Sequence, residues 1–512
     1  MAIRTFAAID VGSYELAMKI FEFNSKGGMK EIDHIRRRIE LGTDTYHTGK
    51  ISSANMDKLC DTLADFYEIM KGYKVDDYKA YGTSAIRETK NTVIVTEQIK
   101  LRSNIDVEVL SNSEQRFLHY KAVASKGDTF EKLINKGCAI LDIGGGSIQI
   151  SLFENDALVT TQNIRLGVLR MMDMLSTLQP RTRDYANVCR ELIDNQLQYF
   201  KRLYMKGREI SSLIVLDDYV SAALSNVSKD IDMISAETFK EEVSKFEVMS
   251  TAEIASFFEI PEETVKLINP SAAIMSRVVK ITKANDLWFP NVCLCDGIAY
   301  EYAQKEKLYK DSHDFENDII ECAYAMSKRY QGNKERNQLL ERISIQIFDA
   351  MKKIHKMDKR DKLLLRMAAI LNDCGRYISL EASAECGYNI IMATEIIGLS
   401  HAEREIVANV VKFNKVKFEY YSEIAKTTIL DKESYLRIAK LSALFRLADG
   451  ICRSYRTKVN DVSTTLRDNE LILSLDVDYS DDISLEQGFF YRKSDFFEEV
   501  FSVKPILKLK RR

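Results

Sequence analysis

Leu141-Asp142-Ile143-Gly144-Gly145-Gly146-Ser147-Ile148-Gln149-Ile150-Ser151-Leu152-Phe153 joins an apolar run to an alternating one through three glycines and a serine. The spacing predicts two strands and a tight turn between them. Glycine has no Cβ, so backbone N–H groups in such a turn can converge on an anion. Asp142 precedes the turn, where a carboxylate can hold a metal ion or a water beside a bound phosphate. A single glycine-rich turn is a weak signal, because many hairpins carry one. Near the N-terminus, however, Phe6-Ala7-Ala8-Ile9-Asp10-Val11-Gly12-Ser13 runs into residues 16–23 on the same plan. Two copies of apolar strand, Asp, Gly-Ser turn and second strand imply a duplicated α/β fold. The two Asp-bearing turns are expected to face each other across a cleft.

Bulk composition narrows the class. A chain of 512 residues is expected to hold several domains. With 46% hydrophobic and 29% charged residues it reads as globular rather than disordered. A net charge of −3 gives no global field for a polyanion, so a phosphate-rich ligand must be held by local groups and no specific nucleic-acid partner is expected. The nine cysteines include no CxxC pair, which points to reduced thiols and a cytoplasmic location. The chain enters a strand at once, leaving no room for a signal peptide, and no apolar run is long enough to span a membrane.

Taken in order, residues 5–23 are expected to form a hairpin around Asp10 and Ser13, and residues 31–38 a further strand. Met56, Leu59, Leu63, Phe66 and Met70 share one face of a helix over 55–70. A strand at 77–81 leads into Gly82-Thr83-Ser84-Ala85-Ile86-Arg87, whose hydroxyls and guanidinium suit an anion at a helix start. An ordinary capped helix start accounts for the same residues. After a strand at 105–110, Ser111 and Glu114 stand at capping-box spacing on a helix reaching residue 124. The second half opens with the Asp142 turn. It continues through a helix at 185–204, a buried strand at 212–216 ending in Asp217-Asp218-Tyr219, and a strand at 292–294 ending in Cys295-Asp296-Gly297. From about residue 315 only helices follow, at 342–356, 362–372, 382–397, 402–413 and 434–455. Beyond Thr457 come a hairpin over Asp468-Asn469, a helix at 484–501 and a strand at 506–509. The basic tail at 508–512 reads as solvated. His119 and His401 read as ordinary helix residues. Asp373 and Asp449 read as tying helices together through partners such as Arg376, Arg446 or Arg453.

These motifs, with Leu110-Ser111, Gly167-Val168-Leu169-Arg170, Asp296-Gly297, Leu371-Asn372-Asp373-Cys374-Gly375 and Arg446-Leu447-Ala448-Asp449-Gly450, occur in a family's order. The chain resembles the exopolyphosphatase / guanosine pentaphosphate phosphohydrolase (Ppx/GppA) family from end to end. The resemblance implies an α/β fold with a duplicated actin-like (sugar-kinase/Hsp70-like) core, an all-helical HD-like domain and a small α/β C-terminal domain. On this chain they are drawn at 1–122 and 123–304 for the two actin-like halves, 305–456 for the HD-like domain and 457–512 for the last. The implied activity is hydrolysis of terminal phosphoanhydride bonds of polyphosphate or guanosine pentaphosphate (pppGpp) in the interlobe cleft. The implied cofactor is a divalent metal, usually Mg²⁺. Dimers are common in that family, and the helical faces here permit a homodimer.

Carried over residue by residue, the resemblance puts phosphate contacts at Gly12, Ser13, Thr83, Ser84, Arg87, Gly144, Gly145, Gly146 and Ser147. Asp10 and Asp142 are the metal carboxylates, with Asp142 also beside the reacting water. Two carboxylates are replaced. The family's base position falls on Gln115, beside Glu114, and a carboxamide takes no proton near neutral pH. The second metal carboxylate falls on Gln149. Tyr14 and Glu15 replace an Asn and a Ser of the first turn. Asp217-Asp218-Tyr219 replaces a small phosphate loop, and Tyr300 replaces an Arg. In the HD-like domain the three expected histidines fall on Asn372, Cys386 and Asn414, so no metal is expected there. Three readings stay open: a phosphoanhydride hydrolase of reduced activity, with Glu114 or Glu15 a candidate base; a catalytically silent member that senses a phosphorylated ligand or a protein partner; and a scaffold without ligand.

Overall fold

The computed structural model describes residues 4–24, 28–176, 185–217, 219–227, 233–308, 313–424, 430–454 and 458–511. The chain divides into two compact units, Met1–Asp314 and Phe315–Arg512. Among the described residues no helix is long and apolar enough to cross a membrane.

The first unit is built on two sheets. Strands β1 (Arg4–Val11), β2 (Glu15–Phe23), β3 (Met29–Arg38), β4 (Asp77–Gly82) and β5 (Val107–Val109) form one, in the order β3-β2-β1-β4-β5. Strands β6 (Cys138–Ile143), β7 (Ile148–Glu154), β8 (Ala157–Ile164), β9 (Ser212–Leu216), β10 (Met233–Ser235) and β11 (Asp286–Trp288) form the other, in the order β10-β11-β9-β6-β7-β8. The sheets repeat one topology. In each, two antiparallel pairings (β1·β2·β3 and β6·β7·β8) adjoin two parallel ones (β1·β4·β5 and β6·β9·β11). Register repeats as well: Val11 faces Leu16 and Ile143 faces Ile148 across the two turns, while Asp10 faces Ala17 and Asp142 faces Gln149. This is the duplicated actin-like arrangement. Strands β6 and β9 are buried at every position, as a parallel centre covered on both faces requires.

Two local readings change. Residues 292–294 form no strand; the helix Leu294–Lys305 begins there instead. Asp296 is its third residue and accepts from the backbone N–H of Cys293 at 2.7 Å, so the acid that seemed to end a strand caps a helix. The strand that pairs beside β9 is β11, at 286–288. The edge strand β8, not expected from sequence, extends the second sheet.

All but the last residue of the helix Leu294–Lys305 falls within the stretch drawn as the second half, 123–304. It packs under the first sheet, where Leu294, Ile298, Ala299 and Tyr302 join Phe6, Ala8, Phe21, Phe23 and Leu118 in one core. Tyr302 stacks on Phe6 with ring centres 3.9 Å apart. A Cβ on Gly297 would lie 2.0 Å from the carbonyl oxygen of Leu118, so only glycine allows this helix to cross the helix Asn112–Ala124 so closely.

The second unit holds the helices Phe315–Arg329, Lys334–Ala350, Lys359–Leu371, Ser383–Ala393, His401–Lys415 and Lys432–Ile451. Strands β12 (Val459–Arg467), β13 (Glu470–Val477) and β14 (Lys504–Arg511), with the helix Ser484–Phe501, complete the same compact unit. Asp468 and Asn469 turn the β12–β13 hairpin at φ of 44° and 62°, the left-handed pair that a two-residue hairpin favours. Residues 455 and 512, placed by the sequence reading in a helix and in the tail, lie outside the described residues.

Candidate active site

The two glycine turns are closed alike. Gly12 N–H donates to the carbonyl of Glu15 at 3.1 Å, and Gly144 N–H donates to that of Ser147 at 3.0 Å. Asp10 and Asp142 each stand two residues before the closing glycine, at the ends of central strands. The turns touch: a Cβ on Gly145 would lie 3.1 Å from the Cβ of Ser13. Gly167 fits against the second turn only because it has no side chain, since a Cβ there would be 2.3 Å from the Ser147 nitrogen.

A cavity of about 120 Å³ lies between the turns. Asp10, Gly12, Ser13, Thr83, Ser84, Gln115, Asp142, Gly144 and Gly145 line it, together with Tyr14, Glu15, His34, Arg36, His119, Asp217 and Tyr219. Three hydroxyls close one side: Ser13 and Ser84 lie 2.7 Å apart, and Tyr46 is 2.9 Å from each. Burial pushes the Tyr46 phenol up, so it stays a hydroxyl. Arg170 lies over the Tyr46 ring at 4.5 Å and donates to the Gly146 carbonyl at 2.8 Å and to Glu88 at 2.6 Å.

The helix Asn112–Ala124 presents Gln115 and, one turn later, His119 to the cavity. His119 Nδ1 is 2.5 Å from Asp142 Oδ2. Sequence reading treated His119 as an ordinary helix residue. Its one signal was its place four residues after the family's base position, on the same helix face. Glu114 does not line the cavity. Its Oε2 accepts from Ser111 N–H at 2.9 Å in a complete capping box. Arg87 does not line it either; it donates to the Leu110 carbonyl at 2.7 Å, to Asn112 Oδ1 at 2.5 Å and to Gln115 Oε1 at 3.3 Å. Gln149 is buried, and its Oε1 accepts from Arg116 Nε at 2.8 Å. Ser147 is buried and closes the second turn through its carbonyl.

Asp217 is less hostile to an anion than its charge suggests. Its Oδ1 accepts from the N–H groups of Tyr219 and Val220 at 3.0 and 2.6 Å, and its Oδ2 accepts from Ser271 at 2.5 Å. Asp218 lies outside the described residues. At the first sheet, Lys19 Nζ is 3.0 Å from Asp296 and 2.9 Å from Glu31. Burial opposes the Lys19 charge, but Cys293, Asp296 and Glu31 outweigh it and raise its pKa. Burial, then Lys19 and Arg36, hold His34 below the usual imidazole range. Glu301 accepts from Lys121 at 2.8 Å, and Tyr300 is buried.

In the second unit Asn372 and Asn414 meet, with Asn414 Nδ2 donating to Asn372 Oδ1 at 3.1 Å. Beside them Lys493 donates to Asn414 Oδ1 at 2.8 Å and to Asp449 Oδ2 at 2.6 Å. Arg336 spans the two acids, reaching Asp373 at 2.9 Å and Asp449 at 2.7 Å. The sequence reading named Arg376, Arg446 and Arg453 as partners. Arg376 and Arg453 do pair, with Asp373 and Asp449. Arg446 donates to the Phe413 carbonyl instead, while Arg336 and Lys493 were not foreseen. Cys386 is half-buried.

Residues 20–306 match the Ppx/GppA phosphatase family, and residues 321–488 match its domain III. The chain belongs to the Ppx/GppA phosphatase family. It is similar to the guanosine-5'-triphosphate,3'-diphosphate pyrophosphatase of Aliivibrio fischeri, 19% identical over 92% of this chain and 91% of that protein. It is also similar to exopolyphosphatase 1 of Mycobacterium bovis, 24% identical over 37% of this chain and 54% of the relative. Among solved structures, an exopolyphosphatase from Cytophaga hutchinsonii aligns with a TM-score of 0.52 at 20% identity, over 60% of this chain and all of that one. That likeness carries the Ppx/GppA fold.

Proposed function

We propose that the cleft of Met1–Asp314 hydrolyses terminal phosphoanhydride bonds of polyphosphate or pppGpp, with His119 in place of the missing base. The observation that carries this reading is the His119–Asp142 pair at 2.5 Å. An Nδ1–H donated to Asp142 leaves the basic lone pair on Nε2, on a ring that lines the cavity. The pair stands one helical turn beyond Gln115, so a substrate held by the two turns would meet it close to where the family's carboxylate acts. Ser13, Ser84 and Gly145 would bind the phosphoryl oxygens through N–H and O–H groups, while Gly12, Gly144 and Thr83, whose N–H groups donate to the Glu15, Ser147 and Val11 carbonyls, would shape the turns around them. His119 would take the proton of the attacking water, and Asp142 would orient the ring and stabilise its charged form.

Phosphatases of this family generally depend on a divalent metal. Two carboxylates at matching strand ends fit Mg²⁺, which takes one or two carboxylates and completes its shell with water and phosphate oxygens. Asp10 would hold it together with Asp142, whose Oδ1 makes no hydrogen bond among the described residues. Gln149 does not fit, because Arg116 occupies its amide oxygen. The metal would neutralise phosphate charge. A cytoplasmic location and a homodimer complete the proposal.

The test is phosphate release with Mg²⁺ from tripolyphosphate and from pppGpp, comparing the unmodified chain with His119→Ala and Asp142→Asn. His119→Ala is expected to lower release by about 10²–10⁴-fold. If the unmodified chain releases no more than Asp142→Asn, the hydrolase reading falls. Tyr14 and Tyr219, packed together beside the cavity, favour a second reading as a silent binder of the same ligands. Saturable binding without release would then support it.

A further inference from the structure

A second pocket, of about 580 Å³, opens within Phe315–Arg512. Its walls come from four segments: Tyr330, Gln331 and Asn333; Arg336; Asp373, Arg376 and Tyr377; and Arg453 with Ser454. Three arginines thus face one carboxylate. Arg336 is fully committed, to Asp373, to Asp449 and to the Cys452 carbonyl. The other two are not. Arg376 reaches Asp373 only through Nε, at 3.5 Å, and its terminal nitrogens make no hydrogen bond among the described residues. Arg453 makes one long contact with Asp449, at 3.3 Å, and its guanidinium carbon lies over the Phe489 ring, 4.3 Å from the ring centre.

The charge behind the wall has the same sign. Asp373 and Asp449 are contacted by Arg336, Arg376, Arg453 and Lys493, four cations to two acids. Lys415 adds a fifth. Its ammonium is buried and makes no hydrogen bond among the described residues, and burial lowers its pKa despite Asp373. Glu486, the acid behind Ser454, accepts from the Ser454 N–H at 3.0 Å. The helix Lys334–Ala350 points its N-terminus at the pocket, capped by Asn333, and brings the positive end of its dipole. Tyr330 and Tyr377 meet edge to face at 5.7 Å, and Tyr377 is 54% exposed, leaving an aromatic surface at the mouth. The volume is that of a small-molecule site.

We propose that this pocket binds an anion bearing at least two phosphoryl groups, gripped by the Arg376 and Arg453 forks and independent of the cleft between the glycine turns. Guanidinium is suited to this because its planar fork matches two phosphate oxygens at once. The phosphoryl groups can belong to a nucleotide, whose base would lie on Tyr377, or to an inorganic chain.

Tyr377→Trp in the full chain places a fluorescent reporter at the mouth. It would be titrated in EDTA with GTP and with inorganic tripolyphosphate, and with sodium sulfate at matched ionic strength. The expected result is a saturable response to GTP or tripolyphosphate that Arg376→Ala or Arg453→Ala weakens by about tenfold or more. Tighter binding of GTP assigns the site to nucleotides, and tighter binding of tripolyphosphate to inorganic chains. Because the reporter replaces a pocket residue, phosphorus-31 line broadening of tripolyphosphate by the unmodified chain, compared with the Arg376→Ala/Arg453→Ala double variant, is measured alongside. Thermal melting checks that the variants fold. The proposal is overturned if neither probe gives a difference that depends on Arg376 and Arg453, or if sulfate reproduces the response.

Discussion

Tyr14 and Tyr219 meet edge to face, with ring centres 6.0 Å apart and planes at 84°. One ring belongs to the first glycine turn and the other follows β9, so the contact joins the two halves of the cleft. Burial pushes the Tyr14 phenol up, and Arg38 lies over its ring at 5.0 Å. Both tyrosines stand where the family resemblance implies small polar residues. Replacing them together, Tyr14→Asn with Tyr219→Ser, is expected to enlarge the cavity and tighten binding of tripolyphosphate. The loss of an aromatic pair and of buried ring surface should cost about 3–5 kcal/mol. Calorimetric titration and thermal melting read the two effects. Unchanged affinity in a folded variant would show that the rings do not limit access.

Gln115 occupies the family's base position and accepts from Arg87. Gln115→Glu keeps the shape and gives the guanidinium a charged partner. Phosphate release is expected to rise by about 10²-fold. A rate equal to that of the unmodified chain would mean that proton removal is not what limits turnover.

How much of this was legible in the sequence depends on distance along the chain. The duplicated turns could be read because Asp, Gly and the flanking apolar residues lie within a few positions of one another and are repeated. His119 could not, since a single histidine on a helix carries no local sign of what it faces. Only β6, packed in from another sheet, supplies Asp142. Residues 292–294 misled because a short apolar run before an acid serves equally as a strand end or a helix start. The Cys293–Asp296 cap decides it. In the second unit the acids Asp373 and Asp449 stood within readable motifs, but Lys493 comes from a helix far along the chain and has no motif of its own.

Asp449 is fully buried. Burial opposes its charge, yet Lys493, Arg336 and Arg453 hold its carboxyl at about 2, below the ordinary 3.8. Below the ordinary value the unfolded chain takes up a proton that the folded chain refuses. Stability present at higher pH is therefore lost as pH falls from about 4 through about 2, an effect of about 2 kcal/mol. Asp449→Asn should remove that part of the acid slope while costing about 3–5 kcal/mol at neutral pH. Urea unfolding across the acid range checks it; equal slopes in both chains would contradict the assignment.

Lys493 and Arg336 supply to Asp449 and Asp373 the positive charge that a metal would bring. EDTA is therefore expected to leave the melting of Phe315–Arg512 unchanged, whereas Lys493→Met should lower stability by about 3 kcal/mol. A chelator-induced drop in melting temperature would contradict this.

At Gly167 an added Cβ would meet both the Ser147 nitrogen and the Gly145 carbonyl carbon, at 2.3 and 2.4 Å. Gly167→Ala should cost about 1–3 kcal/mol and reshape the second turn, lowering melting temperature and phosphate binding together. Retained binding at a reduced melting temperature would separate the two roles.

The helix Leu294–Lys305 covers the first sheet with residues made well over two hundred and fifty positions after that sheet's first strands, Arg4–Val11 and Glu15–Phe23. On the ribosome, the apolar face of Phe6, Phe21 and Leu118 must wait for the whole second half to emerge before it is shielded. A fragment cut at residue 122 would keep its five strands and lose their cover, so the two halves, alike in plan, are not separable as products.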